Sequence, residues 1–173
     1  MSIKSNPIVF ANPVRDLTLA RYLAAMEVDF FGIDLDDPDE RKTKTLIHQI
    51  REWVEGPKLI GVSSMPSQNI KELFPMDGYY LDIDFEMPQN SIVFQSQQFY
   101  LNNPGMSPSF VIINDPQDFI ANKNCILMTD FHSNPINHSN ISGYMISPSK
   151  EDKIGLYDFE KLDKWFEELR MDS

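Results

Sequence analysis

Cysteine occurs once, at Cys125, in a chain of 173 residues. An intrachain disulfide is therefore excluded, and so is a structural zinc site built on cysteines. One free thiol fits a reducing compartment. Glycine is scarce, with seven residues. None of them forms a Gly-x-Gly-x-x-Gly or Walker-type loop, so nucleotide sites of those kinds have no basis here. No serine sits in a Gly-x-Ser-x-Gly elbow. Basic residues are outnumbered, 15 against 26 acidic, for a net charge of −11. A surface that neutralises phosphates needs excess Lys and Arg, so nucleic acid is not an expected partner. An anionic membrane is disfavoured for the same reason, and the charge serves solubility. No run approaches the ~18 apolar residues of a membrane helix. Met1 to Pro7 lacks the apolar segment of a signal peptide. The expectation is a soluble, cytoplasmic, single-domain protein spanning residues 1–173.

The first half alternates short apolar runs with helical patterns. Ile8–Ala11 is β-branched and apolar and stops at Asn12-Pro13. Val14–Val28 carries Leu17, Ala20 and Ala24 at helical spacing. Phe30–Leu35 reads as a second strand, ended by the turn cluster Asp36 to Asp39. Leu46, Ile47, Ile50, Trp53 and Val54 form an amphipathic helix that Gly56 stops. Lys58–Val62 is a third strand, and Ile70, Leu73 and Phe74 mark a short third helix. Strands this uniformly apolar are covered on both faces, which means parallel pairing with right-handed crossovers.

The second half holds five more strand-like runs: Tyr79–Ile83, Ile92–Gln95, Phe110–Ile113, Ile126–Met128 and Tyr144–Ile146. Loops rich in Pro, Asn, Ser and Gln lie between them. A final helix carries Phe159, Leu162, Phe166 and Leu169 on one stripe. Eight strands and a closing helix predict an α/β fold of the (β/α)8 barrel type. The length is short for one, because such barrels typically take ~250 residues. Only eight residues separate Ile83 from Ile92, whereas a parallel crossover usually needs at least ~10–12. Two readings meet this difficulty: a barrel with several outer helices of the second half reduced to loops, or an antiparallel excursion. The barrel is the expectation. Its thinned flank would expose apolar strand faces, which a homodimer would cover.

Several segments carry a family pattern in order. Asp29 to Gly32 (Asp-Phe-Phe-Gly) resembles the Gly-Ala-Asp-x-x-Gly-Phe entry to strand two of the phosphoribosylanthranilate isomerases. Arg41 falls where that family has the Arg of its Ser-Pro-Arg loop. Lys58 to Val62 is similar to its Lys-Val-Val-Gly-Val strand. Ser147 to Glu151 lies where it has Ser-Ser-Gly-Val-Glu, and Gly155, Asp158 and Lys161 follow in step. The resemblance covers residues 8–64 and 143–169 and is weak between them. It implies a barrel fold and a sugar-ring opening and rearrangement. In that reaction a cysteine on strand one acts as base and an aspartate on strand six as acid.

The implied machinery is damaged in this sequence. Strand one ends in Asn12, which is no base. Strand six ends in Asn114-Asp115; the acid is lost if Asn114 takes its place and survives if Asp115 does. The family holds phosphate with glycine-rich loops after strands seven and eight. Here strand seven runs Leu127-Met128-Thr129-Asp130-Phe131, and a carboxylate at Asp130 repels a phosphate dianion. Ser149 replaces a glycine after strand eight, and Tyr80-Leu81-Asp82-Ile83 replaces Gln-Leu-His-Gly on strand four. The expectation is a diverged relative without the isomerase reaction, acting as a small-molecule binder or an interaction protein.

Barrels gather functional groups at the C-terminal ends of their strands. Those positions supply candidate ligand-binding residues Asn12, Asp34, Arg41, Asn114 and Ser147, and candidate catalytic residues Asp115, Asp130 and His132. Asp82, Asp84 and Glu86 alternate and share one face of an extended strand. Asp82 and Asp84 are either a solvated acidic strand end or oxygen ligands for a divalent ion such as Mg²⁺ or Ca²⁺. No cofactor is otherwise expected. An enzyme of another type, working through this acidic mouth, is the first alternative; retained isomerase activity with Asp115 as acid is the second. His48 reads as a surface or helix-packing residue, His138 as a solvated loop residue, and Cys125 as a buried, inert thiol.

Overall fold

The computed structural model describes residues 6–65, 69–82, 90–130, 135, 139–148 and 157–171. Its eight strands are β1 (Ile8–Ala11), β2 (Phe30–Asp34), β3 (Lys58–Ser63), β4 (Gly78–Leu81), β5 (Ile92–Ser96), β6 (Phe110–Ile113), β7 (Cys125–Thr129) and β8 (Gly143–Ile146). Its helices are α1 (Leu17–Ala25), α2 (Glu40–Trp53), α3 (Ile70–Leu73), α4 (Gln97–Asn102) and α5 (Phe159–Met171). Every neighbouring pair of strands is parallel, and β8 pairs with β1, so the sheet is a closed barrel in sequence order. The antiparallel alternative for the second half is thereby removed: β4–β5, β5–β6, β6–β7 and β7–β8 are all parallel. Ile83, at the end of one expected strand, lies outside the described residues.

Two apolar layers follow from the two-residue period of the strands. The inner layer holds Phe10, Phe30, Ile60, Phe94, Ile112, Ile126 and Met145. Phe94 is its hub, with ring centroids 4.8 Å from Phe10, 5.2 Å from Phe30 and 5.0 Å from Phe110. The barrel is therefore filled by aromatic rings, which bury large areas for few rotamers. The outer layer takes the alternate residues, among them Val9, Phe31, Ile33, Leu81, Val111, Ile113 and Ile146. It packs them against Leu19 and Leu23 of α1, Ile47 and Ile50 of α2, and Leu162, Trp165 and Phe166 of α5. Cys125 is fully buried in this outer layer.

Glycine lets the strands approach closely at two seams. A Cβ on Gly143 would stand 2.0 Å from the Ile8 carbonyl oxygen, and one on Gly78 2.3 Å from that of Ile92. These are the β8–β1 and β4–β5 contacts.

Three helices begin on short polar side chains that satisfy free backbone donors. Asp16 accepts from the Leu19 N–H at the start of α1, and Asp39 from the Lys42 N–H at the start of α2. Ser96 accepts from the Phe99 N–H at the start of α4. Thus α2 begins at Glu40, ahead of its first apolar residue, because Asp39 in the expected turn cluster is its cap. The sequence does not predict helix α4: it has no fully buried residue, so its two turns carry no apolar stripe to read. A single 3₁₀ turn, Pro116–Asp118, follows β6.

Candidate functional site at the barrel mouth

The alternation of the strands decides which polar residues face the mouth. On β2, Phe30 is an inner residue and Ile33 an outer one, so Gly32 and Asp34 turn inward. Gly32 leaves room for a neighbour: a Cβ there would stand 2.3 Å from Asn12 Oδ1. Asn12 therefore lies over the inner face of β2, and its backbone N–H donates to the Ile146 carbonyl at 2.9 Å. On β8, Met145 is inner and Ser147 follows in the same phase. On β4, Tyr80 packs against the inner layer, so Asp82 falls in phase beyond it. On β7, Ile126 is inner and Leu127 outer, which carries Met128 and Asp130 to the mouth side.

Strand β6 settles the adjacent pair Asn114-Asp115. Ile112 belongs to the inner layer and Ile113 to the outer, so the phase puts Asn114 on the mouth side. Asp115 turns the other way and is occupied: its carboxylate accepts the Gln117 N–H at 2.8 Å and caps the 3₁₀ turn. The mouth positions are therefore Asn12, Asp34, Asp82, Asn114, Asp130 and Ser147. This set contains three carboxylates, two amides and no cation. Arg41 is not among them; it lies exposed in the first turn of α2. His132 and Asp84 lie outside the described residues, as do Glu86 and His138. His48 is exposed on α2, with Nε2 3.8 Å from Glu52 Oε2.

The carboxylates are held by backbone and hydroxyl donors. Asp82 Oδ1 accepts the Ser96 N–H at 2.8 Å, tying the end of β4 to the end of β5. Asp34 Oδ1 accepts the Asp36 N–H at 2.9 Å. Asp36 reaches across to the end of β3 and the residue after it. One of its oxygens accepts the Ser63 hydroxyl at 2.5 Å, and the other accepts the Ser64 N–H at 2.7 Å and hydroxyl at 2.8 Å. Partial burial pushes the Asp36 carboxyl up, but these donors outweigh it and hold it below the usual carboxylate range. Half-buried Tyr80 is pushed the other way. Burial, reinforced by the negative charge of Asp82, raises its phenol to about 12. Among the described residues, no group of three or more His, Cys, Asp or Glu side chains is placed to hold a metal ion.

A cleft of about 350 Å³ opens beside the mouth, between the loop after β1 and the start of α2. Val14, Ile33 and Leu46 form its apolar part, and Arg15, Asp34 and Lys42 stand in its wall. Sequence reasoning missed Arg15, which carries no motif of its own. It shares this cleft only because β1 and β2 are neighbours.

No family model matches the chain, and no curated protein matches it. Solved structures do. The N-(5′-phosphoribosyl)anthranilate isomerase of Pyrococcus furiosus superposes with a TM-score of 0.66 at 12% identity, over 95% of this chain and 99% of that one. The phosphoribosylanthranilate isomerase of Thermotoga maritima, in a monomeric form of a dimeric protein, gives 0.63 at 11% identity, over 96% and 100%. TrpF of Jonesia denitrificans gives 0.62 at 15% identity, over 96% and 97%. The chain thus has the fold of these isomerases over almost its full length and theirs. The likeness in sequence is too low to carry more than the fold.

Proposed function

We propose that this barrel is a small-molecule binder that keeps the phosphoribosylanthranilate isomerase scaffold without the isomerase reaction. One observation carries the reading: amides occupy both mouth positions that the resemblance assigns to proton transfer. Asn12 stands at the end of β1, where the base is expected, and Asn114 stands in phase at the end of β6, where the acid is expected. An amide neither takes nor gives a proton near neutral pH, and general acid–base catalysis needs groups that do. The carboxylate next to Asn114 in the sequence, Asp115, is spent on capping a turn. The anionic lining adds to this. With Asp34, Asp82 and Asp130 in phase around the mouth, a phosphate dianion meets like charge where a phosphate site needs backbone or cationic donors. A neutral or cationic polar ligand suits the lining better.

The decisive experiment is the isomerase assay on the purified chain with phosphoribosylanthranilate. Each missing proton-transfer group alone costs ~10²–10⁴-fold, so the expected turnover is far below the ordinary enzyme range of ~1–10³ s⁻¹. A rate inside that range would overturn the proposal. Inorganic phosphate, or a reduced analogue of the sugar-phosphate product, should leave the melting temperature unchanged. A ligand present at ~100 times its Kd would add ~2.7 kcal/mol, and such a shift would mean that the phosphate site survives.

A further inference from the structure

We infer that the cleft beside the mouth binds a free α-amino acid with an apolar side chain of leucine's size. Leftover charge points to this ligand. Four charged side chains besides Arg15 line the cleft, and three of them are already occupied. Lys42 Nζ and Asp37 Oδ2 are paired at 3.1 Å. Asp36 is turned toward Ser63 at the end of β3 and Ser64 just beyond it. Asp34 remains, with one oxygen on the Asp36 N–H and the other without a partner among the described residues. Arg15 remains on the opposite side of the charge balance, exposed and without a hydrogen bond or ion pair among the described residues. One open carboxylate and one open guanidinium therefore share a single cleft.

The same cleft has an apolar part. Its accessible surface is that of half-buried Leu46, which packs against the core that holds the buried Val14 and Ile33. A zwitterion with an apolar side chain matches this arrangement group for group. Its carboxylate meets the fork of Arg15, its ammonium meets Asp34, and its side chain lies against Leu46. The volume of about 350 Å³ falls at the small end of ligand sites, which favours one amino acid over a peptide. Arg15 and Leu46 line the cleft and not the mouth, and the isomerase assay is indifferent to both. Asp34 is common to the mouth and the cleft, so the Arg15 arm of the test is the one that separates a failure of this inference from a failure of the reading given above for the mouth.

Titration calorimetry with L-leucine, L-leucinamide and isocaproate tests it. L-leucine is expected to bind the unaltered chain. Leucinamide lacks the carboxylate and isocaproate lacks the ammonium, so each is expected to bind about 10- to 100-fold more weakly, the range for a lost charged hydrogen bond. Arg15→Gln should weaken L-leucine by a similar factor and leave leucinamide unchanged. Asp34→Asn should weaken L-leucine and leave isocaproate unchanged. Arg15 is exposed and makes no hydrogen bond or ion pair among the described residues, so Arg15→Gln should melt like the parent, and a matching melt validates the comparison. Absence of L-leucine binding at millimolar concentration overturns the inference. So does binding that Arg15→Gln leaves at full strength.

Discussion

Ser64 gives both its backbone N–H and its hydroxyl to one carboxylate oxygen of Asp36, at 2.7 and 2.8 Å. This pair of hydrogen bonds, joined by Ser63 on the second oxygen, locks the loop after β2 to the loop after β3. It lies at the edge of the mouth and shapes both the mouth and the cleft beside it. Asp36 is largely solvated, so its charge is partly screened and its worth is modest. Asp36→Ala is expected to destabilise the fold by about 1 kcal/mol through lost hydrogen bonds. The pH dependence has a definite sign. The folded-state value is lowered, so the contribution is present above the ordinary carboxylate value of ~3.9 and is lost as pH falls through the folded value. Urea melts of the parent and of Asp36→Ala should therefore differ at pH 6 to 7 and converge toward pH 3 as the carboxylate protonates. A constant gap across that range would show that the ionised form carries nothing.

The bottom of the barrel uses one device twice. Asp29, just before β2, donates its N–H to the Val9 carbonyl at 3.0 Å, and its carboxylate accepts the Val9 N–H at 2.8 Å. Asp77, just before β4, does the same with Leu59, at 3.0 and 2.7 Å. The Asp29 of the family pattern is thus a brace between β1 and β2 on the face opposite the mouth. Partial burial raises its carboxyl above the ordinary value, and the backbone donors only reduce that rise. The folded state then holds the proton more tightly than the unfolded chain, so stability falls as pH climbs from the ordinary carboxylate value through the raised one. Asp29→Asn keeps an acceptor for Val9 without the charge and is expected to be neutral or slightly stabilising at pH 7. Asp29→Ala strands a buried backbone donor and should cost about 1–3 kcal/mol. Chemical denaturation of the two variants separates these outcomes; equal losses would remove the brace.

Much of this architecture is legible in the sequence, and what is not legible has physical reasons. The strands announce themselves because a parallel strand covered on both faces is a continuous apolar run, as in Phe110–Ile113. Helix α4 does not, because a two-turn helix with no buried residue has no periodicity to show. Asn114 and Asp115 are both polar and adjacent, so only the packing of Ile112 inward and Ile113 outward tells which one faces the mouth. Arg15 is invisible as a site residue until β1 and β2 are known to be neighbours. Asp29 carries a family pattern, yet the sequence does not say that its carboxylate serves a backbone amide.

Gln95 is fully buried on the outer face of β5, and neither Nε2 nor Oε1 of its side chain has a hydrogen-bond partner among the described residues. The register places it beside Val111 on β6. An amide removed from water without a partner costs about 1–3 kcal/mol by protein mutational data. Gln95→Met conserves the shape and removes the unpaired atoms. It is expected to raise stability by about 1 kcal/mol or more, which for a domain of this size is a shift of roughly 2–4 °C per kcal/mol in Tm. A calorimetric melt at neutral pH checks this, and a lowered Tm would mean that the amide is satisfied in solution.

The β8–β1 seam depends on the missing side chain of Gly143. A Cβ there meets the Ile8 carbonyl oxygen at 2.0 Å, a backbone atom that cannot swing aside. Gly143→Ala forces the closing strands apart and should cost at least the ~1–3 kcal/mol typical of overpacking. Gly105 is the matched control, because a Cβ added there would meet nothing within 4 Å. Gly105→Ala should stay within about 0.5 kcal/mol of the parent. Denaturant midpoints of the two variants give the comparison; similar midpoints would mean that the seam is looser than the geometry requires.

Tyr80 and Asp82 lie two residues apart in phase at the mouth end of β4, and their charges are coupled. Burial comes first in raising the Tyr80 phenol to about 12, and the Asp82 carboxylate adds to it by opposing a second negative charge. Asp82→Asn keeps an acceptor for the Ser96 N–H and removes the charge. The phenol should then ionise at a lower pH than in the parent while remaining above the ordinary tyrosine value, because the burial is unchanged. The stability consequence has the same origin. Between the ordinary value of ~10 and the raised one, the unfolded chain loses this proton first, so stability falls as pH rises through that window. Phenolate absorbance followed against pH, with Tyr80→Phe to identify the late-titrating group, measures the shift. A Tyr80 titration that Asp82→Asn leaves unmoved would place the Asp82 charge too far into solvent to act on the mouth, and the anionic lining proposed for ligand choice would lose one of its three members.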